Sequence, residues 1–338
     1  MKYNHIYHPH SLHNKSILIT GGAGFVGSHI AEYLLQHGAK KVLVLDNFLT
    51  GLRQNIAYLR QYERFEFIEA DITDLNVMQK VCVGMDVICH QAALGSVPRS
   101  VVNPSATFRH NVEGFSTVVM AARDTGIKRV VFASSSSIYG VQKTDLHTET
   151  LTPAPISPYG FSKQSNEIMG NIFAQLYGIE YVGFRYFNVF GPRQSPNGAY
   201  AAVIPLFIEA FLNDKVLFIN GQGEQSRDFT FVENVVQANV KAMFADNPAA
   251  INQIYNIGCG GNFTIMDLYH EIGALLPNFK KEPTFRAARE GDIVFSKADI
   301  SRAKSLLKYE PLFDFKTGLA QTVAFFQQYG SWGDTIKS

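Results

Sequence analysis

A chain of 338 residues of which 46% are hydrophobic is long enough to bury two lobes rather than one. The 30 Lys and Arg against 29 Asp and Glu leave a formal charge of +1. No global field therefore draws the protein to nucleic acid or to a membrane surface, and any anion site must come from local geometry. No apolar run is long enough to span a bilayer.

Three cysteines, Cys82, Cys89 and Cys259, sit among apolar neighbours. They fit small buried hydrophobes in a reduced cytoplasm, not a disulfide framework. Residues 1–15 are rich in His and Asn, lack the apolar stretch of a signal peptide and read as a polar leader. His5, His8 and His10 have no Cys or acidic partner nearby, so no metal tract is expected there.

From residue 15 the pattern becomes regular. KSILIT is a short β-rich run, and GGAGFVGSHIAEYLLQHG follows it with helical spacing at Ile30, Leu34 and Leu35 and a stop at Gly38. KVLVLD, FEFIEAD, DVICHQAA, RVVFASSSS and YVGFRYF repeat the strand theme. Helical stretches over about 75–84, 104–125 and 160–177 separate them. Nearly all-apolar strands alternating with helices predict an α/β fold, a doubly wound parallel sheet covered on both faces.

Beyond about residue 190 the texture changes. GPRQSPNGAYAAVIP is a Pro/Gly/Asn loop, VLFINGQGEQSRDFTF reads as a hairpin, and IYNIG is a late strand able to rejoin the first sheet. FTIMDLYHEIGALL and DISRAKSLL are amphipathic helices. The expected organisation is a nucleotide-binding domain from 16–188 plus about 232–260. A smaller, mixed α/β C-terminal substrate domain would come from about 189–231 plus 261–338.

TGGAGFVG places glycines at 21, 24 and 27 between a strand and a helix. Glycine permits a tight turn and close approach to a pyrophosphate, and the helix N-terminus supplies N–H groups and a positive dipole end. Gly21, Gly24, Phe25 and Val26 are the candidate cradle. Asp46 follows Gly27 by 19 residues, the distance expected for a carboxylate gripping a ribose diol. It would repel a 2′-phosphate, which favours NAD over NADP. Asp71 and Ile72 stand where adenine would lie, or else form a strand-end turn and core.

Tyr159 and Lys163 share a helix face one turn apart. A nearby ammonium, with the charge of an oxidised nicotinamide, favours phenolate, and a tyrosine so tuned can take a hydroxyl proton as hydride leaves the same carbon. The serine run ASSSSIYG, with Ser134 to Ser137, ends a strand where open α/β sheets place their sites.

Taken with LDNFLTG, HQAA, SPYGFSK, RYFNVFGPRQ, SRDFTFVENV and REGD, these motifs give a chain that resembles the extended short-chain dehydrogenases/reductases. It is most similar to nucleotide-sugar 4-epimerases of the UDP-glucose and UDP-N-acetylglucosamine kind. The resemblance runs from Ser16 to about residue 330 and implies a Rossmann-type nucleotide domain. It implies that Tyr159 is the catalytic base, that Lys163 holds the nicotinamide ribose, and that Ser135 bonds the sugar 4-oxygen with Ser136 and Ser137 next to it. The Asp and Glu that sugar 4,6-dehydratases carry at those last two places are missing, which argues against dehydration. Asn47, Gln91 and Ala92 join the implied cofactor site.

The chemistry so implied passes through a 4-keto sugar. Hydride leaves C4 for NAD and returns to the other face, so NAD stays bound and is not consumed. Asn188, Arg227 and Arg289 match the family's diphosphate ligands, although Arg227 could instead pair with its neighbour Asp228. Asp292 is implied to bind a ribose hydroxyl or to orient Arg289. Asn111 is expected to support the site through backbone bonds, and His90 is not assigned an acid–base role.

GSVPRS resembles the version in epimerases of N-acetylated sugars. Ser96 and Arg99 could reach the hexose there, or Arg99 could cap a helix. Ser296 stands where glucose-restricted relatives carry a tyrosine, leaving room for an N-acetyl group. The expected reaction is UDP-N-acetylglucosamine to UDP-N-acetylgalactosamine, with uronic acids next and UDP-glucose after them, for glycan or lipopolysaccharide precursors. Rival readings are a 4-keto-sugar oxidoreductase, a UDP-glucuronate decarboxylase and an NAD-sensing regulator. A homodimer through helices 104–125 and 160–177 is implied, with neither nucleic-acid nor membrane partner.

Overall fold

The computed structural model describes residues 1–197, 201–287 and 295–333. Seven strands form one parallel sheet: β1 (Ser16–Thr20), β2 (Lys41–Asp46), β3 (Phe65–Glu69), β4 (Val87–His90), β5 (Arg129–Ser135), β6 (Glu180–Tyr186) and β7 (Gln253–Ile257). Their spatial order is β7-β6-β5-β4-β1-β2-β3, and every pairing is parallel. The chain winds outward both ways from β1 and β4, so the sheet opens a crevice beyond their carboxyl ends, where such sheets bind ligands. The late strand IYNIG does rejoin the sheet, with Gln253 opposite Val182 and Ile257 opposite Tyr186.

Parallel strands need crossover helices, and those helices bury the apolar strand faces. α1 (Phe25–Gln36), α2 (Leu75–Cys82), α3 (Gly114–Thr125), α4 (Pro158–Tyr177) and α6 (Val232–Met243) pack on the sheet, giving two apolar cores, one for each face. A third core forms from α5 (Val203–Leu212), α7 (Ile265–Leu275), α8 (Phe315–Tyr329) and the segments around Phe190 and Phe231.

Two expectations from sequence need correction. The run 216–231 is not a hairpin. Phe218–Asn220 pairs in parallel with Thr284–Arg286, Ser226–Arg227 pairs antiparallel with Phe263–Thr264, and Thr230–Phe231 pairs in parallel with Val189–Phe190. Gly221 and Gly223, at φ 66° and 77°, turn the chain away between them. Each short β run thus finds a partner elsewhere.

The leader is also more than a polar tail. Tyr3, Tyr7 and Leu12 are buried against α1. Tyr7 donates from its hydroxyl to Glu233 Oε1 at 2.8 Å, and the Tyr33 hydroxyl accepts from the Tyr7 amide at 2.8 Å. Alternating aromatics gave this segment an apolar face that its His and Asn content concealed.

Candidate active site

The turn from β1 into α1 is the first wall of the crevice. Gly21 has φ +70°, and a Cβ there would stand 2.5 Å from the Ala92 backbone nitrogen. Only glycine lets the two βα turns approach this closely. α1 starts at Phe25 with Gly24 as its N-cap and no side chain capping it, so the amides of its first turn face the crevice. That bare helix end, at a glycine turn with no room for side chains, fits a dinucleotide's pyrophosphate.

Asp46 closes β2. Its Oδ2 accepts from the Ala23 amide at 3.0 Å and its Oδ1 from the Phe48 amide at 2.8 Å. Burial raises its pKa, and these amides work the other way. A carboxylate has about four acceptor positions, so capacity is left for a ribose diol. Asn47 donates to Asp71 Oδ2 at 3.0 Å, while Asp71 Oδ1 accepts from the Thr73 amide and hydroxyl at 2.9 Å each. The strand-end turn is thus present at Asp71, with Ile72 on the crevice wall.

The opposite wall comes from β5 and α4. Ser157 caps α4 by accepting from the Gly160 amide at 3.1 Å, with Pro158 in the first turn. A Cβ on Gly160 would lie 2.6 Å from the Ser137 carbonyl oxygen, so glycine brings the helix start onto the serine turn. Tyr159 and Lys163 then share the crevice with Ser134 and Ser135. Ser135 Oγ donates to Ser137 Oγ at 3.1 Å and accepts from the Ser137 amide at 3.1 Å. Ser136 and Ser137 lie in the short 3-10 turn that follows, Ser136–Ile138.

The sequence leads one to expect that Lys163, together with the charge of an oxidised nicotinamide, lowers the Tyr159 pKa. In the protein alone, burial raises the phenol above its ordinary 10.0, with a hydrogen bond to Ser135 pulling it back. Lys163 is itself buried and is pulled down to about 8, its Nζ donating to the Ala133 carbonyl at 2.8 Å and lying 6.0 Å from the Tyr159 ring centre. The protein alone thus leaves the phenol protonated, and a cationic nicotinamide would supply the remaining pull.

Among the other candidates, Gln91, Ala92, Arg99 and Asn188 line the crevice. Ser96 caps the short helix Val97–Val102, accepting from the Arg99 amide at 3.3 Å, so its hydroxyl serves the backbone and Arg99 is not the cap. Asn188, at φ 29°, donates to the Asp228 carbonyl at 3.3 Å. Arg227 lies on the short strand below and donates to the Ser226 carbonyl at 2.9 Å. The Asp228 carboxylate points inward, accepting from the amides of Cys259, Gly260 and Ala298 at 2.9, 2.9 and 3.2 Å. Ser296 is buried, and its carbonyl accepts from the Asp228 amide at 3.0 Å. Arg289 and Asp292 lie outside the described residues.

Asn111 accepts from the Leu94 amide at 2.8 Å and donates to the Leu94 carbonyl and to Ser162 Oγ. It ties the 91–96 loop to the helix of Tyr159, the supporting role expected of it. His90 is fully buried against Thr20 Oγ1 at 2.7 Å and is pushed by burial down to about 3, so it stays neutral.

Several contributors escaped the sequence reading. Tyr186 and His110 line the crevice. Asn239 holds Gln91 Nε2 at 3.1 Å and donates to the Tyr186 hydroxyl at 2.8 Å. Beneath the serine turn, Glu167 accepts from Ser134 Oγ at 2.5 Å and forms a two-point ion pair with Arg185 at 3.0 and 2.8 Å. Arg185 donates to the Tyr139 hydroxyl at 2.9 Å, which donates to Asn256 at 2.6 Å. The arginine inside the apolar run YVGFRYF was the available signal, since a buried charge must be paired.

Comparison with known proteins agrees with this geometry. Residues 17–258 match the NAD dependent epimerase/dehydratase family. The UDP-glucose 4-epimerase of Mycolicibacterium smegmatis is 35% identical over 92% of this chain and 98% of its own. A UDP-N-acetylglucosamine 4-epimerase from Methanobrevibacter ruminantium, solved with UDP-N-acetylmuramic acid, superposes with a TM-score of 0.88 at 36% identity, covering 94% and 99% of the two chains. The UDP-glucuronic acid 4-epimerase of Bacillus cereus, solved with UDP-glucuronic acid and NAD, gives 0.85 at 31% identity, covering 93% and 99%. The chain belongs to the NAD dependent epimerase/dehydratase family, of the extended short-chain dehydrogenase/reductase type, and NAD is its cofactor.

Proposed function

We propose that this protein interconverts UDP-N-acetylglucosamine and UDP-N-acetylgalactosamine. The broader assignment, an NAD-dependent UDP-sugar 4-epimerase, follows from its family and from relatives that act on UDP-glucose, UDP-N-acetylglucosamine and UDP-glucuronate. The observation that carries it is the meeting of Tyr159, Ser135 and Lys163 in one crevice with the glycine turn of α1.

Bound NAD supplies the acceptor and donor of hydride at the sugar C4. Gly21, Gly24, Phe25, Val26 and Asp46 would hold it, with Asn47, Asp71, Ile72, Gln91 and Ala92 around its adenosine and nicotinamide halves. Tyr159 takes the O4 proton and gives it back after the 4-keto sugar has turned its other face. Ser135 bonds the 4-oxygen and, through its hydrogen bond to Tyr159, favours the phenolate. Lys163 would hold the nicotinamide ribose. Asn188 and Arg227 would bind the UDP phosphates from the smaller lobe, in keeping with arginine's planar fork.

The N-acetyl preference rests on Ser296 and on the GSVPRS segment. A small side chain at 296 leaves space that a tyrosine would fill. A second reading, a uronic acid substrate, is favoured by Arg99 in the crevice wall, where a C6 carboxylate would find a cation. Comparing kcat/KM for UDP-N-acetylglucosamine, UDP-glucuronate and UDP-glucose separates the two. A preference for the uronate would replace the acetamido assignment.

A homodimer is part of this proposal. Phe161, Ile168, Ile172 and Leu176 form an exposed apolar stripe on α4, with Val102 and Phe108 exposed beside it on the preceding short helices. Such a stripe at helical spacing suits a second copy of the same helix.

A further inference from the structure

Successive turns of α4 reach the same strand. Tyr159, Lys163 and Glu167 are spaced four apart, so they share one helix face. Tyr159 is hydrogen-bonded to Ser135, Lys163 Nζ donates to the Ala133 carbonyl at 2.8 Å, and Glu167 Oε1 accepts from Ser134 Oγ at 2.5 Å. Each of the last residues of β5 thus holds one turn of the helix. Glycine lets the two elements lie close, since a Cβ on Gly170 would stand 3.3 Å from the rings of Phe132 and Tyr181.

Glu167 is the member of this face that the reaction itself does not use. It is buried, and so is Arg185, which grips both of its oxygens, Nε to Oε1 at 3.0 Å and Nη2 to Oε2 at 2.8 Å. Arg185 stands directly across from Ser134 in the pairing of β5 with β6. Its remaining nitrogen donates to the Tyr139 hydroxyl at 2.9 Å, just beyond the serine turn. A buried ion pair is a weak source of stability, because both charges lose their water. It is a strong source of geometry, because the planar guanidinium holds the carboxylate at two points. The carboxylate in turn holds Ser134, the neighbour of the serine that bonds Tyr159.

We propose that Glu167, locked by Arg185, is a positioning residue for the epimerisation: through Ser134 it sets the rotation of α4 against β5, and so the approach of Tyr159 to Ser135. Neither Glu167 nor Arg185 lines the crevice, so both act only through the residues they hold. Small displacements of reacting groups are expensive in rate, which gives such a latch its effect. This role rests on Tyr159 and Ser135 handling the O4 proton, and it does not depend on which UDP-sugar the enzyme prefers.

The test uses NAD-loaded holoenzyme and whichever of UDP-N-acetylglucosamine, UDP-glucose and UDP-glucuronate it turns over. Ser134→Ala removes the latch and leaves the ion pair in place. Ser134→Ala combined with Glu167→Met and Arg185→Met removes the latch and both charges, and Tyr139 keeps its bond to Asn256, so the fold is retained. The expected result is a kcat lowered about tenfold in the first and about 100-fold in the second, with KM within about twofold and NAD still bound. The rising limb of the kcat–pH profile should move to higher pH in both. Asp46, Arg99, His110, Lys163 and Tyr186, the other ionisable groups on the crevice wall, are the same in every variant, so a moved limb reports Tyr159. Ser134→Thr, which keeps the hydroxyl, should restore both kcat and the limb. Should the combined variant fail to fold, Ser134→Ala and Ser134→Thr decide alone. A wild-type kcat in Ser134→Ala, an unmoved limb, a kcat loss matched by loss of bound NAD, or a low kcat that Ser134→Thr does not restore would overturn the proposal. Ser135→Ala tells the two levels apart. If it too leaves the limb unmoved, the roles of Tyr159 and Ser135 fall with the latch; if it moves the limb while the Ser134 variants do not, only the latch falls.

Discussion

Lys163 Nζ donates to the backbone carbonyl of Ala133 at 2.8 Å, tying the ammonium beside Tyr159 to the strand that carries the serine turn. The lysine is 1% exposed, and burial pulls it down to about 8. The unfolded chain holds this proton up to about 10.4. Between those pH values the unfolded state binds more protons, so this residue makes stability rise with pH across that window. Below about pH 8 the buried charge costs the fold up to roughly 3 kcal/mol. Lys163→Met should therefore melt higher than wild type at pH 7 and lose the rise between pH 8 and 10, while turnover falls at least about 100-fold. A variant that melts lower at pH 7 with the same pH dependence would contradict this.

Ser135 lowers the Tyr159 pKa, against the burial that raises it. Removing the hydroxyl should push the phenol further up. Ser135→Ala should thus shift the rising limb of the kcat–pH profile to higher pH, besides lowering kcat about 10- to 100-fold through the lost bond to the sugar oxygen. A lower kcat with an unmoved limb would confine Ser135 to substrate binding.

Ser296 is buried and its backbone carbonyl holds the Asp228 amide. Ser296→Tyr should reduce kcat/KM for UDP-N-acetylglucosamine at least tenfold more than for UDP-glucose. Equal losses, particularly with a lowered melting temperature, would mean that the new ring disturbs the Asp228 anchorage instead of excluding an acetamido group.

Much of the fold was legible because its signals are local. The glycine turn, the apolar strands and the capped helix of Tyr159 each follow from a few neighbouring residues, and the structure brings Gly21, Asp46, Gln91, Ser135, Tyr159 and Lys163 to one crevice as expected. What escaped depends on partners far along the chain. Glu167 and Arg185 look like ordinary helix and strand residues until the sheet places them under Ser134. The 216–231 run carried hairpin signals, yet its strands pair with 189–190, 263–264 and 284–286. Register with distant segments is not written in turn residues. The leader hid its role because Tyr3 and Tyr7 bury their rings while His and Asn dominate its composition.

Ile168 and Ile172 are 54% and 43% exposed at the middle of the apolar stripe on α4. Ile168→Glu with Ile172→Glu should convert a dimer to a monomer in light scattering, with little change in the melting temperature of the isolated fold. A wild-type monomer, or a variant that remains dimeric, would remove α4 as the interface.

The most direct measurement follows the anomeric protons of UDP-N-acetylglucosamine by NMR after adding purified protein and no nucleotide cofactor. UDP-N-acetylgalactosamine should grow in toward an equilibrium mixture with wild type. Tyr159→Phe, with NAD still bound, should be slower by about 10³-fold or more. Unchanged UDP-N-acetylglucosamine under conditions where UDP-glucose or UDP-glucuronate is epimerised would contradict the acetamido assignment. Turnover that required added NADH would contradict the self-contained epimerase itself.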